Sequence, residues 1–405
     1  MKVLISSVGS RGDVQPILAL AVQVQSLGHE ARLCVAPNFK EWVESFGIAC
    51  FPIGPDLKQL TGGSAPKRSI KPSAEQLQQL AVHTIRSQFP VLTEAARGCD
   101  LVVAGGALQI ATRSVTEALG IPYVFTAYCP AVLPSADHPP PKMGAHYAQS
   151  LPPDTNASLW VEEERSWNDL FRDTLNQERA KLSLAPVQSA QRHIFTDRPW
   201  LAADPALGPA GATTELHIVQ TGAWFLDDPH PLPDEVEEFL AQGEAPVYFG
   251  FGSMRAPEDA GRVLIEAARA LGLRSILSHG WANLRPIDGG TDCLSVGEIA
   301  HQKLLPRVAV ALHHGGAGTT TAAARAGCGQ VIVPKLYDQY YWSHRVQQLG
   351  IGVGLSLENL TVSAITSALR ECMQPAIAGG ARSLANRIKL REAHGAAARL
   401  LEEFG

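Results

Sequence analysis

The residues with the clearest chemical potential are His313-His314-Gly315-Gly316-Ala317-Gly318-Thr319-Thr320, set between an apolar run at 308–312 and a helical stretch. Glycines let a backbone approach a ligand closely, and free amides at a helix start point at an anion. A histidine at the strand end adds a hydrogen bond or a positive charge for a phosphate. The stretch has neither the GK[ST] ending of a nucleoside triphosphate loop nor the spacing of a dinucleotide fingerprint. It reads as a diphosphate site, with a tight structural turn as the alternative. After a second apolar run at 331–333 comes Asp338-Gln339, a carboxylate and an amide able to grip vicinal hydroxyls of a sugar, or simply to cap the next helix. Near the N-terminus, Gly9-Ser10-Arg11-Gly12-Asp13-Val14-Gln15-Pro16 is another glycine loop. Its Asp13 has the chemistry of a general base and equally the position of a helix cap.

Alternating strands and helices must carry these loops. A strand over 2–6 precedes the first loop, and a helix starting at Pro16 runs to Gly28 with Ile17, Leu18, Ala21, Val24 and Leu27 at helical spacing. Strands at 30–35, 101–104 and 123–126 follow, with helices near 74–97 and 109–119. After a proline-rich passage at 226–233 the rhythm returns. Strands are expected at 246–250, 274–278, 292–296, 308–312 and 330–333, with helices at 257–271, 318–326 and after Trp342. Two α/β units of doubly wound parallel sheet, facing across a cleft, are the economical architecture. Such sheets bind ligands beyond the carboxyl ends of their strands, where both glycine loops fall. The boundaries read as 1–218 for a first domain, 219–233 for a linker, 234–384 for a second domain and 385–405 for a final helix. Segments 55–75 and 130–165 break the rhythm, the latter with seven prolines. Irregular loops of that length are read as walls of a substrate pocket, with plain surface loops as the alternative; Tyr128, Pro130, His138 and Tyr147 are the candidate residues of such a pocket.

Composition limits the function. At 405 residues the chain exceeds one compact core, and 45 % hydrophobic with 18 % charged residues is the profile of a globular protein. A net charge of −5 without a basic cluster argues against a nucleic-acid partner. No apolar window is long enough for a membrane helix, and the opening residues do not form a signal peptide. Seven scattered cysteines without CxxC spacing suit free thiols in a reducing cytoplasm, not disulfides or a zinc site. No Asp-x-Asp stands at a strand end, so no metal site is expected.

The run 297–346 resembles the donor-binding signature of inverting glycosyltransferases that use nucleotide diphosphate sugars. The resemblance rests on Gly297-Glu298-Ile299-Ala300-His301-Gln302, on the glycine-rich stretch from His313, and on Asp338-Gln339. The loop from Gly9 to Pro16 looks like that of bacterial antibiotic glycosyltransferases. Thr196-Asp197-Arg198-Pro199-Trp200, Gln220-Thr221-Gly222-Ala223-Trp224, Tyr248-Phe249-Gly250-Phe251-Gly252-Ser253 and Ser278-His279-Gly280-Trp281 extend the likeness almost end to end, most closely to the vancomycin and teicoplanin group. It implies a GT-B fold of two Rossmann-like domains, acceptor on the first and dTDP- or UDP-sugar on the second, with the final helix packing back on the first. Carried over by position, Asp13 becomes the general base and His313 a diphosphate contact. Ser10, Arg11, Gly12, Ser253, Gly315, Gly316, Ala317, Gly318 and Thr319 then lie on the donor side. Asp338 and Gln339 hold sugar hydroxyls, and Trp281 and Val296 meet base and ribose. No cofactor beyond the sugar nucleotide is implied, and the aglycone is left open among glycopeptide, sterol, macrolide and polyketide. An epimerase of the same fold or a non-catalytic binding protein is the competing function; the oligomeric state is open.

Overall fold

The computed structural model describes residues 1–56, 73–106, 108–142, 148–213, 215–254, 256–280, 284–388 and 392–405. Tyr147 and Trp281, and most of the expected pocket wall at 55–75, lie outside the described residues. Two all-parallel sheets carry the fold. The first takes β1 (Lys2–Ser7), β2 (Glu30–Val35), β3 (Ala49–Pro52), β4 (Leu101–Gly105), β5 (Tyr123–Ala127), β6 (Trp200–Leu201) and β7 (Val219–Gln220), in the order 3-2-1-4-5-6-7. The second takes β8 (Val247–Gly250), β9 (Ser275–Ser278), β10 (Cys293–Val296), β11 (Val310–His313), β12 (Gly329–Ile332) and β13 (Gly352–Gly354), in the order 10-9-8-11-12-13. Val3, Leu4 and Ile5 are all buried, as are Val310, Ala311 and Leu312, because helices cover both faces of each sheet.

Strand order reverses between β1 and β4 in one sheet and between β8 and β11 in the other. At such a switch point the flanking crossovers leave to opposite faces and open a crevice beyond the strand ends. Helix α1 (Arg11–Ser26) rises from the first crevice; α2 (Ala317–Arg325) rises from the second, and α3 (Gln339–Gln348) follows β12. Helices α1 and α2 touch, so the two crevices open toward each other.

Three elements differ from the sequence expectation. Helix α1 starts at Arg11, not Pro16; Pro16 sits inside it, and the carbonyl it leaves unserved belongs to Gly12, which is exposed to solvent. Helix α3 starts at Gln339, three residues before Trp342, because Asp338 turns the chain into it. The region 130–165 is not irregular throughout: Pro153–Trp167 is a helix with Pro153 at its first position, where the missing N–H costs nothing.

Near the C-terminus, helix Pro375–Ala385 precedes the final helix, α4 (Glu392–Phe404), which lies within the expected range 385–405. Helix α4 lies on the first sheet's side: Ala393, Ala396, Ala397 and Leu400 share one core with Val14, Ile17 and Leu18 of α1. Leu400 is fully buried there. Leu400→Ala is expected to lower the unfolding free energy by about 2–5 kcal/mol, as for other core leucines. Urea denaturation measures it, and a loss below about 0.5 kcal/mol would mean that α4 is not part of this core.

Candidate active site

The first crevice is built around Asp13. Ser10 precedes α1, and the Asp13 carboxylate folds back on it: Oδ2 accepts from the Ser10 backbone N–H at 2.7 Å and from its hydroxyl at 3.2 Å. A Cβ on Gly9 would run into this carboxylate, which explains the glycine. The other oxygen, Oδ1, faces the turn after β4, where a Cβ on Gly106 would stand 3.6 Å from it. Burial raises the Asp13 pKa, and the Ser10 hydrogen bonds oppose that rise. The Tyr128 hydroxyl is buried nearby, pressed over Gly105 where no side chain fits; burial first, then the Asp13 charge, push its pKa well up.

The second crevice is lined by the turns after β8 and β11. Helix α2 begins after Gly316, and the first turn's hydrogen bond runs from Thr320 N to the Gly316 carbonyl. The amides of Ala317, Gly318 and Thr319 therefore have no partner within the helix and open toward the crevice. Gly315, at φ +88°, leaves no room for a Cβ beside Ile332. Ser253 is half-buried in the turn after β8.

The two adjacent histidines occupy different environments. His313 ends strand β11, pairs in register with Gly250 and Ile332, and is fully buried. Its Nδ1 accepts from the Gly315 N–H at 3.0 Å, so its proton sits on Nε2, which donates to Gln330 Oε1 at 3.0 Å. Burial lowers its pKa to about 3, keeping it neutral. Both ring nitrogens are bonded inside the protein, so His313 shapes the glycine turn. His314 is the residue that reasoning from sequence passed over. Its ring lies in a slot between Gly252 and Gly316, where added Cβ atoms would stand 3.0 and 2.6 Å from it. Its buried Nδ1 has no hydrogen-bond partner among the described residues, and burial holds its pKa near 4. The signal was the strand parity: Ala311 and His313 share a face, and His314 is the first residue past the strand.

The remaining candidates separate similarly. Asp338 precedes α3, half-buried, and its Oδ2 accepts from Trp342 Nε1 at 3.2 Å. Burial and then the Asp13 charge raise its pKa to about 7, against the pull of the Trp342 hydrogen bond. Gln339 spends its oxygen on the N–H groups of Lys335 and Leu336, at 2.9 and 3.2 Å, while its nitrogen donates to Met254 Sδ. Arg11 is ion-paired with Glu298 from the second half and stacked 4.3 Å from the Trp42 ring. Gly12 is exposed. Val296 does not reach a ligand with its side chain, which is 3 % exposed in the core, and its carbonyl is taken by His279 N–H. Pro130 and His138 are buried where the proline-rich loop meets α3; the His138 ring packs 5.7 Å from Tyr341, with burial lowering its pKa to about 4.

Residues 3–136 match the glycosyltransferase family 28 N-terminal domain, and residues 291–394 match the C-terminal domain of erythromycin biosynthesis protein CIII-like proteins. The vancomycin aglycone glucosyltransferase of Amycolatopsis orientalis is 42 % identical over 408 residues, covering 99 % of this chain and 97 % of that one. The chain belongs to the vancomycin-type glycosyltransferases. The dTDP-epi-vancosaminyltransferase of the same organism is 39 % identical, covering 93 % of this chain and 91 % of its own. The crystal structure of glycosyltransferase VinC in complex with dTDP has the same fold, with a TM-score of 0.70 at 20 % identity over the whole of both chains. The architecture is GT-B and the chain is a glycosyltransferase.

The electrostatics of this glycosyltransferase give a direct check. In protein labelled with ¹³C at aspartate carboxyls, one carboxyl is expected to titrate near pH 7. Because the negative charge of Asp13 helps to hold that value up, Asp13→Asn should move the midpoint to lower pH. An unmoved midpoint would show that the two carboxylates do not sense each other.

Proposed function

We propose that the enzyme moves a sugar from a dTDP- or UDP-sugar to a hydroxyl of a natural-product aglycone of the glycopeptide type, with inversion and with Asp13 as general base. The observation that carries this reading is a carboxylate of raised pKa at the β1/β4 switch point, set against a helix N-terminus with open amides at the β8/β11 switch point. The relatives support its two substrates: one is named for the vancomycin aglycone and another for a dTDP-linked amino sugar.

In the proposed step the acceptor oxygen attacks the anomeric carbon as Asp13 Oδ1 takes its proton. The bond from that carbon to the diphosphate oxygen breaks on the opposite face. The leaving nucleoside diphosphate gains the negative charge, which the amides of Ala317, Gly318 and Thr319 and the dipole of α2 stabilise. His314, rather than His313, adds a neutral imidazole hydrogen bond to the phosphates. Ser10 fixes Oδ2 so that Oδ1 faces the acceptor. Asp338 accepts from sugar hydroxyls, and Gln339 joins it by releasing its weak bond to Met254. Ser253 borders the phosphates. The charge is met by backbone dipoles, and the proposed step uses no divalent metal.

A panel of aglycones incubated with dTDP- and UDP-sugars and followed by mass spectrometry tests this reading. Asp13→Asn is expected to lower kcat by roughly 10²–10⁴-fold while dTDP or UDP affinity stays the same. Full turnover by that variant would remove Asp13 from the chemistry. Turnover should also survive a metal chelator; loss restored by magnesium would contradict the metal-free step.

A further inference from the structure

The turn that presents Asp338 is braced by its own Gln339 and also by the other half of the molecule. Trp342, one turn along α3, is 1 % exposed and donates to Asp338 Oδ2. Its ring lies on Gly208 of the first domain, where a Cβ would stand 2.8 Å from the ring and 3.3 Å from Pro130. One turn further, Arg345 Nε donates to the Leu207 carbonyl at 2.8 Å. On the opposite side of the turn, Tyr337, at φ +56°, donates its N–H to the Lys142 carbonyl at 3.4 Å.

Gly208 is itself fixed in place. Gln220 at the end of β7 donates to the carbonyls of Ala203 and Gly208, at 2.8 and 2.9 Å, and accepts from Ala210 N–H at 3.0 Å. The side chain of one glutamine thus clamps loop 203–210, the loop seats Trp342, and Trp342 sets the Asp338 carboxylate. Nothing on the second domain's own sheet bonds that carboxylate among the described contacts.

We propose that Trp342 is a positioning residue for the donor sugar, and that its seat on Gly208 makes the grip on sugar hydroxyls depend on how the two domains pack. This rests on Asp338 being the residue that holds the sugar. The glycine turn after β11 shares none of the hydrogen bonds that tie Asp338, Trp342 and Arg345 together and to the first domain; it meets this segment only by packing, Gly315 beside Gln339 and Ala317 against the core that holds Trp342. The grip on the sugar therefore depends more strongly on the seat of Trp342 than the grip on the diphosphate does.

Calorimetry with dTDP, UDP, dTDP-glucose and UDP-glucose separates the possibilities, using the full chain, Trp342→Phe and Gly208→Ala, each checked by thermal melting. Trp342→Phe keeps an aromatic ring but removes the donor. Gly208→Ala keeps Trp342 and displaces it. Both are expected to hold the bare nucleotide within about twofold of the parent, and to lose about tenfold in affinity for the matching nucleotide-glucose. In Trp342→Phe the sugar-dependent part of the affinity should also fail at higher pH than in the parent. The lost bond favours the ionised Asp338, which sits among Asp13 of α1, Cys129 beyond β5, and Tyr337 of its own segment. Equal affinities in folded variants, or parallel losses for bare nucleotide and nucleotide-glucose, would overturn the positioning role. A parent chain that takes up neither dTDP nor UDP would instead overturn the donor-site reading beneath it.

Discussion

The structure turns on two half-buried carboxylates, one from each half, near enough that the charge of Asp13 acts on Asp338. Asp13 is tied to Ser10 at the head of α1, and Asp338 to Trp342 at the head of α3. Neither has a cation bonded to it among the described contacts. Burial raises both pKa values, and the charge of Asp13 raises Asp338 further. Two like charges close together repel, so the apposition persists only because packed elements behind each one fix it. A carboxylate of raised pKa is the more basic for it, and such a pair suits a ligand rich in O–H donors.

The architecture follows from where those carboxylates stand. Each sheet reverses its strand order once, and the crevice at each reversal receives a glycine turn followed by a helix. One turn presents a carboxylate and the other presents amides, which is what a displacement with an anionic leaving group needs on its two faces. The glycine turn after β11 is braced from below by His313 and Gln330, without charge. One histidine of the pair is built into the core and the other lies in a slot between Gly252 and Gly316, so neighbouring residues of one type take up two different environments.

Much of this was legible from sequence because parallel strands buried on both faces are continuous apolar runs, and because glycine loops mark their ends. Strands β6 and β7 were not, since two residues carry no periodicity. The start of α3 was displaced because Tyr340, Tyr341 and Trp342 are all aromatic, which hides helical spacing. The register error at His313 and His314 has a sharper cause. Ending the strand at 312 made His313 the first loop residue, whereas the ladder runs one residue further and turns its ring into the core. Side chains alternate every residue in a strand, so a slip of one turns a side chain to the opposite face of the sheet. Val296 likewise ends its strand with the side chain turned into the core.

Which contacts cross between the halves explains what sequence motifs alone could not. Arg11, expected on the donor side, reaches Glu298 and stacks on Trp42. Pro130 and His138, expected at the acceptor, pack against α3. In each case the residue type suited a ligand, but its partner came from a distant part of the chain, and long-range packing is not written in local spacing. Those same crossings join loop 130–142 to the segment that carries Asp338. A crevice walled by both halves excludes more water than either sheet could alone, and water is the competing acceptor wherever a sugar is activated. The geometry between Asp13 and Asp338 is thus set by the packing of two sheets against each other, not by either loop by itself.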